Sequence, residues 1–399
     1  MFARQGTIPG PLLNLLHVAL GVSTYKANAA GTVVLPPLTP AGRAMAEALY
    51  TEGLAEFYVR AGLPYPPLLT FEGKTIPAQP AKASLAGGRM PLVAFGGGKD
   101  SYVAGRLVEA ATGHAPRYAC VVLSDAVEEV LTRTAPDTPL FVRRSLDPKL
   151  FGLEGAFQGH VPITAINMLI LTIRSHLDGT GPAVFANERS ADEPTMWANG
   201  IPANHQYSKS SAFETLMRGA IAEAAPEAPL PYSALRPFSE LWIARSFAKI
   251  EEAHPRFTSC NRNFRLAGDA HKRWCGACPK CAFTSLVLSP FLSRAEHERA
   301  FGRVMFGSDA LAPFYRELCG LTEQKPWECV GTIDESQAAL FLLSRHEAWR
   351  DHPVLRELRG ELGRTKSDDD LNSQVEAAFT PAARGHVPQE IMDAAERAT

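Results

Sequence analysis

The chain has 399 residues, 46% hydrophobic and 21% charged, a balance that excludes a disordered or collagen-like protein and leaves room for two or three domains. Forty basic against 42 acidic residues leave a formal net charge of −2, so no global field recruits nucleic acid or an anionic membrane, and any polyanion has to meet a local patch. No apolar run is long enough to span a bilayer: even the stretch from Ala165 to Ile173 is broken by Asn167 and Thr172.

At the N-terminal end, Arg4, the apolar run Leu12 to Val22 and Ala27-Asn28-Ala29 loosely imitate a secretory signal. Asn14 and His17 interrupt the run, and Leu12, Leu16 and Leu20 recur at helical spacing behind Pro9-Gly10-Pro11. A core helix is therefore expected, in a cytoplasmic protein. A second helix is expected from about Pro40, with Met45, Leu49 and Phe57 on one face. Pro64, Pro66, Pro67, Pro77 and Pro80 and then Gly87-Gly88 have linker chemistry, which closes an N-terminal helical unit and linker at residues 1–82. From Pro91 apolar runs alternate with helical patterns: Leu92 to Phe95, a helix from Ser101, Tyr118 to Leu123, Leu140 to Val142, a helix from Ile163, and Ala183 to Ala186. That alternation predicts an α/β fold, a doubly wound and mainly parallel sheet over residues 91–290. Residues 291–399 read as mostly helical, with a charged, weakly periodic tail from about Leu362.

The run Leu92-Val93-Ala94-Phe95 leads straight into Gly96, Gly97 and Gly98, then Lys99, Asp100 and Ser101 at the head of a helix. Glycines let successive backbone N–H groups close on phosphate oxygens, and a helix N-terminus adds partial positive charge. Lys99 and Ser101 offer further donors. Asp100 repels phosphate unless a cation intervenes, which points to Mg2+ on a triphosphate or to an N-cap role. A flexible glycine turn is the alternative. The spacing is not that of a Walker A loop, which needs Lys-Ser/Thr after the last glycine.

Seven cysteines is an odd number, and three of them crowd into Cys275, Cys278 and Cys281. With Cys260 upstream they offer the four-sulfur tetrahedral shell that Zn2+ prefers, against the alternatives of buried free thiols or a redox pair. Cys120, Cys319 and Cys329 are expected in the core.

Asn187, Glu188, Arg189 and Ser190 follow the run Ala183 to Ala186 directly, at the carboxyl end of a presumed parallel strand where such sheets bind ligands. Asn204, His205, Gln206, Tyr207, Ser208 and Lys209 offer acid, base and anion contacts together, and His160 precedes a helix. Each of these stretches reads equally as a solvated loop. Arg262, Arg265, His271, Lys272 and Arg273 make a basic patch beside the cysteines, suited to phosphates or carboxylates or simply a solvated face.

The glycine loop resembles the Ser-Gly-Gly-x-Asp-Ser loop of the N-type ATP pyrophosphatases, with Gly96 standing where that family usually has Ser. The cysteine cluster looks like the zinc site of the deazaguanine synthases, another branch of that group. A more specific likeness lies in five stretches: Leu-His-Val-Ala-Leu-Gly-Val-Ser-Thr-Tyr-Lys-Ala at 16–27, Gly-His-Val-Pro-Ile-Thr-Ala at 159–165, Asn-Glu-Arg-Ser-Ala at 187–191, Asn-His-Gln-Tyr-Ser-Lys-Ser at 204–210 and Cys-Pro-Lys-Cys-Ala-Phe at 278–283. Taken in order over roughly residues 12–350, they resemble the ATP-dependent UDP-N-acetylmuramoyl-L-alanyl-L-glutamate epimerases of bacterial cell-wall synthesis. Members of that family carry further sequence before the first helix, so the start here is either trimmed or belongs to a relative acting on a different peptide.

The resemblance implies ATP and Mg2+ as co-substrate and cofactor and a small UDP-muramoyl peptide substrate, the cysteine cluster a structural Zn2+, while the near-neutral charge and the lack of a bilayer-length apolar run lead us to expect neither nucleic acid nor membrane as partner. Adenylation of the terminal carboxylate would turn a poor carbon acid into a usable one, because the amide nitrogen blocks Schiff-base chemistry. The expected proton-transfer residues are His205, Tyr207, Lys209 and Glu188, and an oxazolone intermediate would need only one weak base. The expected substrate contacts are His160, Asn187, Arg189, Ser190, Asn204 and Arg262. The competing readings are another adenylating ATP pyrophosphatase, deazaguanine-synthase-like or RNA-thiolating, and an ATP-sensing module without turnover. The sequence leaves oligomeric state open.

Overall fold

The structure is a computed structural model and describes residues 7–80, 89–151, 153–264, 273–323 and 325–398. Among these the strands are β1 Thr32–Val34, β2 Thr70–Glu72, β3 Leu92–Ala94, β4 Arg117–Val122, β5 Leu140–Arg143, β6 Ala183–Phe185, β7 Met196–Ala198, β8 Ile201–Ala203 and β9 Tyr232–Ser233. The helices up to the cysteine cluster are α1 Gly10–Asn28, α2 Pro40–Tyr50, α3 Ala55–Arg60, α4 Lys99–Thr112, α5 Asp125–Thr134, α6 Ile163–Asp178, α7 Ser211–Ala224, α8 Glu240–Ala248 and α9 Pro279–Leu288. Beyond it come α10 Arg294–Phe301, α11 Ala312–Leu318, α12 Ile333–Arg345, α13 Pro353–Leu362, α14 Asp368–Phe379 and α15 Gln389–Ala398. No helix among the described residues is long and apolar enough to cross a membrane.

Two compact units interleave along the chain. One comprises Met1–Ala94, Val142–Phe185 and Ala191–Tyr232, the other Phe95–Phe141, Ala186–Ser190 and Ser233–Thr399. In the first unit α1 packs on α2, α6 and α7. Its buried side is Leu12, Leu15, Val18, Ala19, Val22 and Lys26, whereas Leu16 and Leu20 are half-buried. The helix is apolar on nearly every side, so periodicity alone did not choose its inner face. Pro40 starts α2 as expected, behind a Thr39 cap on the Gly42 N–H at 3.2 Å. Met45 and Leu49 are buried on α2, but Thr51 and a 3-10 turn at Glu52–Leu54 end that helix, and Phe57 reaches the core from α3. The same unit holds the short parallel pair β1 with β2 and the antiparallel pair β7 with β8.

A five-stranded sheet has the order β5-β4-β3-β6-β9. β3 and β6 are parallel, Leu92 opposite Ala183 and Val93 opposite Val184. From β3 the chain moves outward to β4 and β5, and from β6 it moves the other way to β9. The carboxyl ends of β3 and β6 therefore bracket the point where strand order reverses, the place where open α/β sheets bind ligands. Gly96–Gly98 follow the first of these ends and Asn187–Ser190 the second.

In the second unit α4 packs on α8 and α15, and α12 packs on α9, α13 and α14. Capping boxes Ser293 with Glu296, Thr332 with Glu335 and Ser367 with Asp370 start α10, α12 and α14, each worth about 1 kcal/mol. The segment expected as a charged tail beyond Leu362 forms α14 and α15, which bury Leu371, Ala378, Ile391, Ala394 and Ala395.

Candidate functional site

In the second unit the glycine loop is built tightly on one side and open on the other. Gly97 has φ +79°, and a Cβ there would lie 3.1 Å from Thr134 Oγ1; one on Gly98 would lie 2.7 Å from Ser259 Oγ, whereas Gly96 faces open space. The Gly97 carbonyl accepts the Thr258 N–H at 2.9 Å. Gly98 is the N-cap of α4 and supplies no side-chain cap, so the first-turn N–H groups and the helix dipole point outward at the end of β3. This arrangement fits a phosphate group. Ser101 Oγ donates to the Gly98 carbonyl at 2.8 Å.

Lys99, expected at the phosphate, is only 2% exposed, and its ammonium is shared between Asp100 Oδ1 and Glu240 Oε2. Glu240 opens α8 behind a Ser239 cap, and its backbone N–H donates to Glu335 Oε1 at 3.0 Å. Burial pushes Lys99 down, but the charges of Asp100 and Glu240 outweigh it and hold the ammonium above its usual range. Burial holds the Glu240 carboxyl up at about 7 against the pull of Lys99. Lys99 thus stays charged between the two carboxyl groups. Glu188 is buried in the same unit, with Ser190 Oγ 3.5 Å from its Oε1. The other residues after β6 hold backbone and loops in place: Asn187 donates to Ser233 Oγ at 2.9 Å, and Arg189 donates to the Thr380 and Ala377 carbonyls.

The histidines lie in the first unit. His205 Nδ1 and His160 Nδ1 both face Glu56 Oε2, the latter at 3.1 Å, and the two rings are 4.7 Å apart. Burial pushes the Glu56 carboxyl up, yet the His205 hydrogen bond and the charges of both histidines outweigh it and bring it below its usual range. His160 is pushed down to about 3, first by burial and then by the charge of His205. Lys26 donates to the Gly159 carbonyl at 2.5 Å, and burial lowers it to about 8. Asn204 builds the loop, donating to the Ala191 carbonyl and accepting the Gln206 N–H. Tyr207 packs edge-on against Phe213 and is pushed up to about 12 by burial. Lys209 Nζ donates to Gln206 Oε1 at 3.2 Å.

The structure therefore joins His160 to His205 and adds Glu56, which sequence reasoning missed because an acidic residue inside a short helix carries no motif. It joins Lys99 to Asp100 and adds Glu240, whose only local signal was the Ser239 cap. Lys26 lies inside the stretch at 16–27, where no local motif marks it.

Cys260, Cys275, Cys278 and Cys281 converge in the second unit, each offering a sulfur within 4.8 Å of the others. Gly276 takes φ +61°, and the Ala277 N–H points at Cys275 Sγ at 3.4 Å. Hydrogen bonds from Cys278 and Cys281 hold the Cys260 thiol far below its usual range, while the same contacts push those two thiols up. A four-sulfur set of this kind suits Zn2+. Arg262 donates to the Ala277 carbonyl at 3.3 Å, and Arg273 to the His254 and Ala300 carbonyls, so both brace the backbone here. Arg265, His271 and Lys272 lie outside the described residues. Cys120 and Cys319 are buried as expected, whereas Cys329 is half-buried.

Residues 5–235 match the MurL N-terminal domain and residues 256–373 the MurL C-terminal domain. The chain is 42% identical over 389 residues to a UDP-N-acetyl-alpha-D-muramoyl-L-alanyl-L-glutamate epimerase of Salinispora tropica, covering 96% of this chain and 84% of that one. An epimerase of the same name from Micromonospora sp. is 42% identical over 95% of this chain and 84% of its own length. One from Xanthomonas oryzae pv. oryzae is 34% identical over 94% and 83%. Likeness of this extent to both domains and to whole relatives means that the chain belongs to the UDP-N-acetyl-alpha-D-muramoyl-L-alanyl-L-glutamate epimerase family, a family of isomerases.

Proposed function

We propose that the chain is an ATP-dependent epimerase of peptidoglycan precursor synthesis. Acting in the cytoplasm, it adenylates the alpha-carboxylate of the terminal L-Glu in UDP-N-acetylmuramoyl-L-Ala-L-Glu and inverts its alpha carbon. The substrate is that named for the relatives. The observation that carries the ATP half is the N-terminus of α4, left without a side-chain cap behind three glycines where the strand order reverses. We assign this loop to the ATP pyrophosphatase type.

The substrate carboxylate oxygen attacks the alpha phosphorus, and pyrophosphate leaves. The N–H groups of the Gly96–Ser101 turn hold the anion through the transfer. Asp100, a quarter exposed, is the carboxylate that would hold Mg2+, which would supply charge neutralisation for the leaving pyrophosphate. Lys99 fixes Asp100 from behind rather than touching phosphate. In the acyl-adenylate the alpha proton is acidic, because the carbanion charge spreads into an ester-like carbonyl. A base removes that proton, and an acid returns one to the opposite face. Water then attacks the acyl carbon and releases AMP with the D-glutamyl product. His205, Tyr207, Lys209 and Glu188 are the candidates for proton transfer. Glu56 holds the His205 ring through Nδ1. A zinc ion in the four cysteines would be structural.

The test supplies ATP, Mg2+ and the peptide in deuterated water, with oxygen label in the terminal carboxylate. One labelled oxygen is expected in AMP and deuterium at the inverted carbon. Oxygen transfer without deuterium leaves an adenylating enzyme whose intermediate is captured by another nucleophile. Deuterium without ATP overturns the mechanism.

A further inference from the structure

The first unit holds a second set of metal-ligating atoms, unrelated to the cysteines. We propose that Glu56, His160 and His205 bind a divalent transition-metal ion of the zinc class, with open positions that take an anionic oxygen ligand.

Glu56, His160 and His205 each offer one ligand atom within 4.8 Å of the others, with both Nδ1 atoms facing Glu56 Oε2, that of His160 at 3.1 Å. Ligands at about 2.0–2.2 Å from one ion stand about 3–3.5 Å apart, so small side-chain adjustments admit it. Two imidazoles and one carboxylate suit zinc, iron, manganese, cobalt or nickel, whereas magnesium and calcium call for an oxygen shell.

The surroundings hold these atoms in place. Glu56 Oε1 accepts from Arg60 at 2.9 Å, which turns Oε2 toward the histidines. The His205 main-chain N–H donates to Thr195 Oγ1 at 3.1 Å. Gly159 takes φ +151°, where a Cβ would lie 3.3 Å from the Phe57 ring, and Lys26 pins its carbonyl just before His160. Partners of this kind orient ligands in metal sites.

Three protein ligands leave coordination positions empty, the pattern of a reactive site rather than a closed structural one. The side chains of His160 and His205 are 15% and 11% exposed, which gives entry. Lys26 Nζ, held on the Gly159 carbonyl beside His160, brings a positive charge to the site, so the open positions favour a carboxylate or phosphate oxygen over neutral water.

The experiment uses the full chain, purified without chelator. Elemental analysis is expected to find one zinc-class ion beyond the one assigned to the cysteines, and Glu56→Gln or His205→Asn removes only that ion. Should either variant fail to fold, Arg60→Gln, a change at an exposed side chain, keeps the fold and weakens the site about 10–100-fold. Cobalt substitution of the wild type then gives both thiolate charge-transfer bands and the weaker bands of a nitrogen and oxygen shell. A wild type showing thiolate bands alone, or metal content unchanged in all three variants, overturns the site. Inorganic phosphate and acetate are added separately, and the one that shifts the weaker bands identifies the anion; no shift from either overturns the open anionic position. None of these readouts depends on adenylation.

Discussion

The lysine centre of the second unit and the histidine cluster of the first both set cations against carboxylates, yet they handle charge differently. Lys99 is sealed between Asp100 and Glu240 at 2% exposure, so its charge is fixed and serves to aim a neighbour. His160 and His205 keep an edge to solvent beside an ionised Glu56, so protons and ligands can exchange there. Burial depth, more than residue type, separates a fixed charge from groups open to exchange.

The sharpest break in that comparison is Lys99→Met. It strands the buried Glu240 carboxyl beside Asp100 and is expected to cost about 3–5 kcal/mol in urea unfolding, whereas Lys99→Met with Glu240→Leu recovers much of it. A single variant no worse than the double one would show that the brace does not exist. Next, Asp100→Asn keeps the fold and lowers pyrophosphate release about 100-fold or more, near 3 kcal/mol in the barrier. Full turnover would remove Asp100 from the site.

A third expectation concerns a histidine sealed as deeply as Lys99. His297 Nδ1 contacts Ser289 Oγ at 2.8 Å, and its Nε2 accepts the Met305 N–H at 3.2 Å, so the folded state needs the neutral ring. Burial lowers His297 from 6.5 to about 3. The unfolded chain then binds the extra proton between these values, and the His297 contribution, complete above pH 6.5, is lost as pH falls toward 3. Its slope is about 1.4 kcal/mol per pH unit, measured as the difference between wild type and His297→Gln. Identical pH profiles would exclude it. The smallest effect is that of Gly97→Ala: positive φ costs about 1–2 kcal/mol, read as a lower Tm and a raised KM for ATP. An unchanged Tm would mean that the loop relaxes freely.

The strands flanking the glycine loop and the head of α4 were legible because apolar runs, glycines and a helical pattern stand next to one another in sequence. Three-residue strands such as β1 and β7 are too short for alternation to register. The histidine cluster joins residues 56, 160 and 205, and only the fold brings these together; His160 and His205 were visible as chemistry, Glu56 was not. The place of Lys99 in the loop points to a phosphate donor, because nothing local foretells that Glu240, 141 positions later, meets its ammonium. The cysteines were legible because two successive Cys-x-x-Cys steps nearly enclose a point by themselves.

The helix that presents the glycine loop is packed against α15, where Arg397 reaches the Ala110 carbonyl across 287 positions of chain. On a ribosome, where polypeptide emerges from its N-terminal end at about 5–20 residues per second, α4 stays uncovered on that flank for many seconds after it is made. Nascent chains therefore present α4 and its glycine loop with that flank unpacked, and a chaperone has that interval in which to engage it.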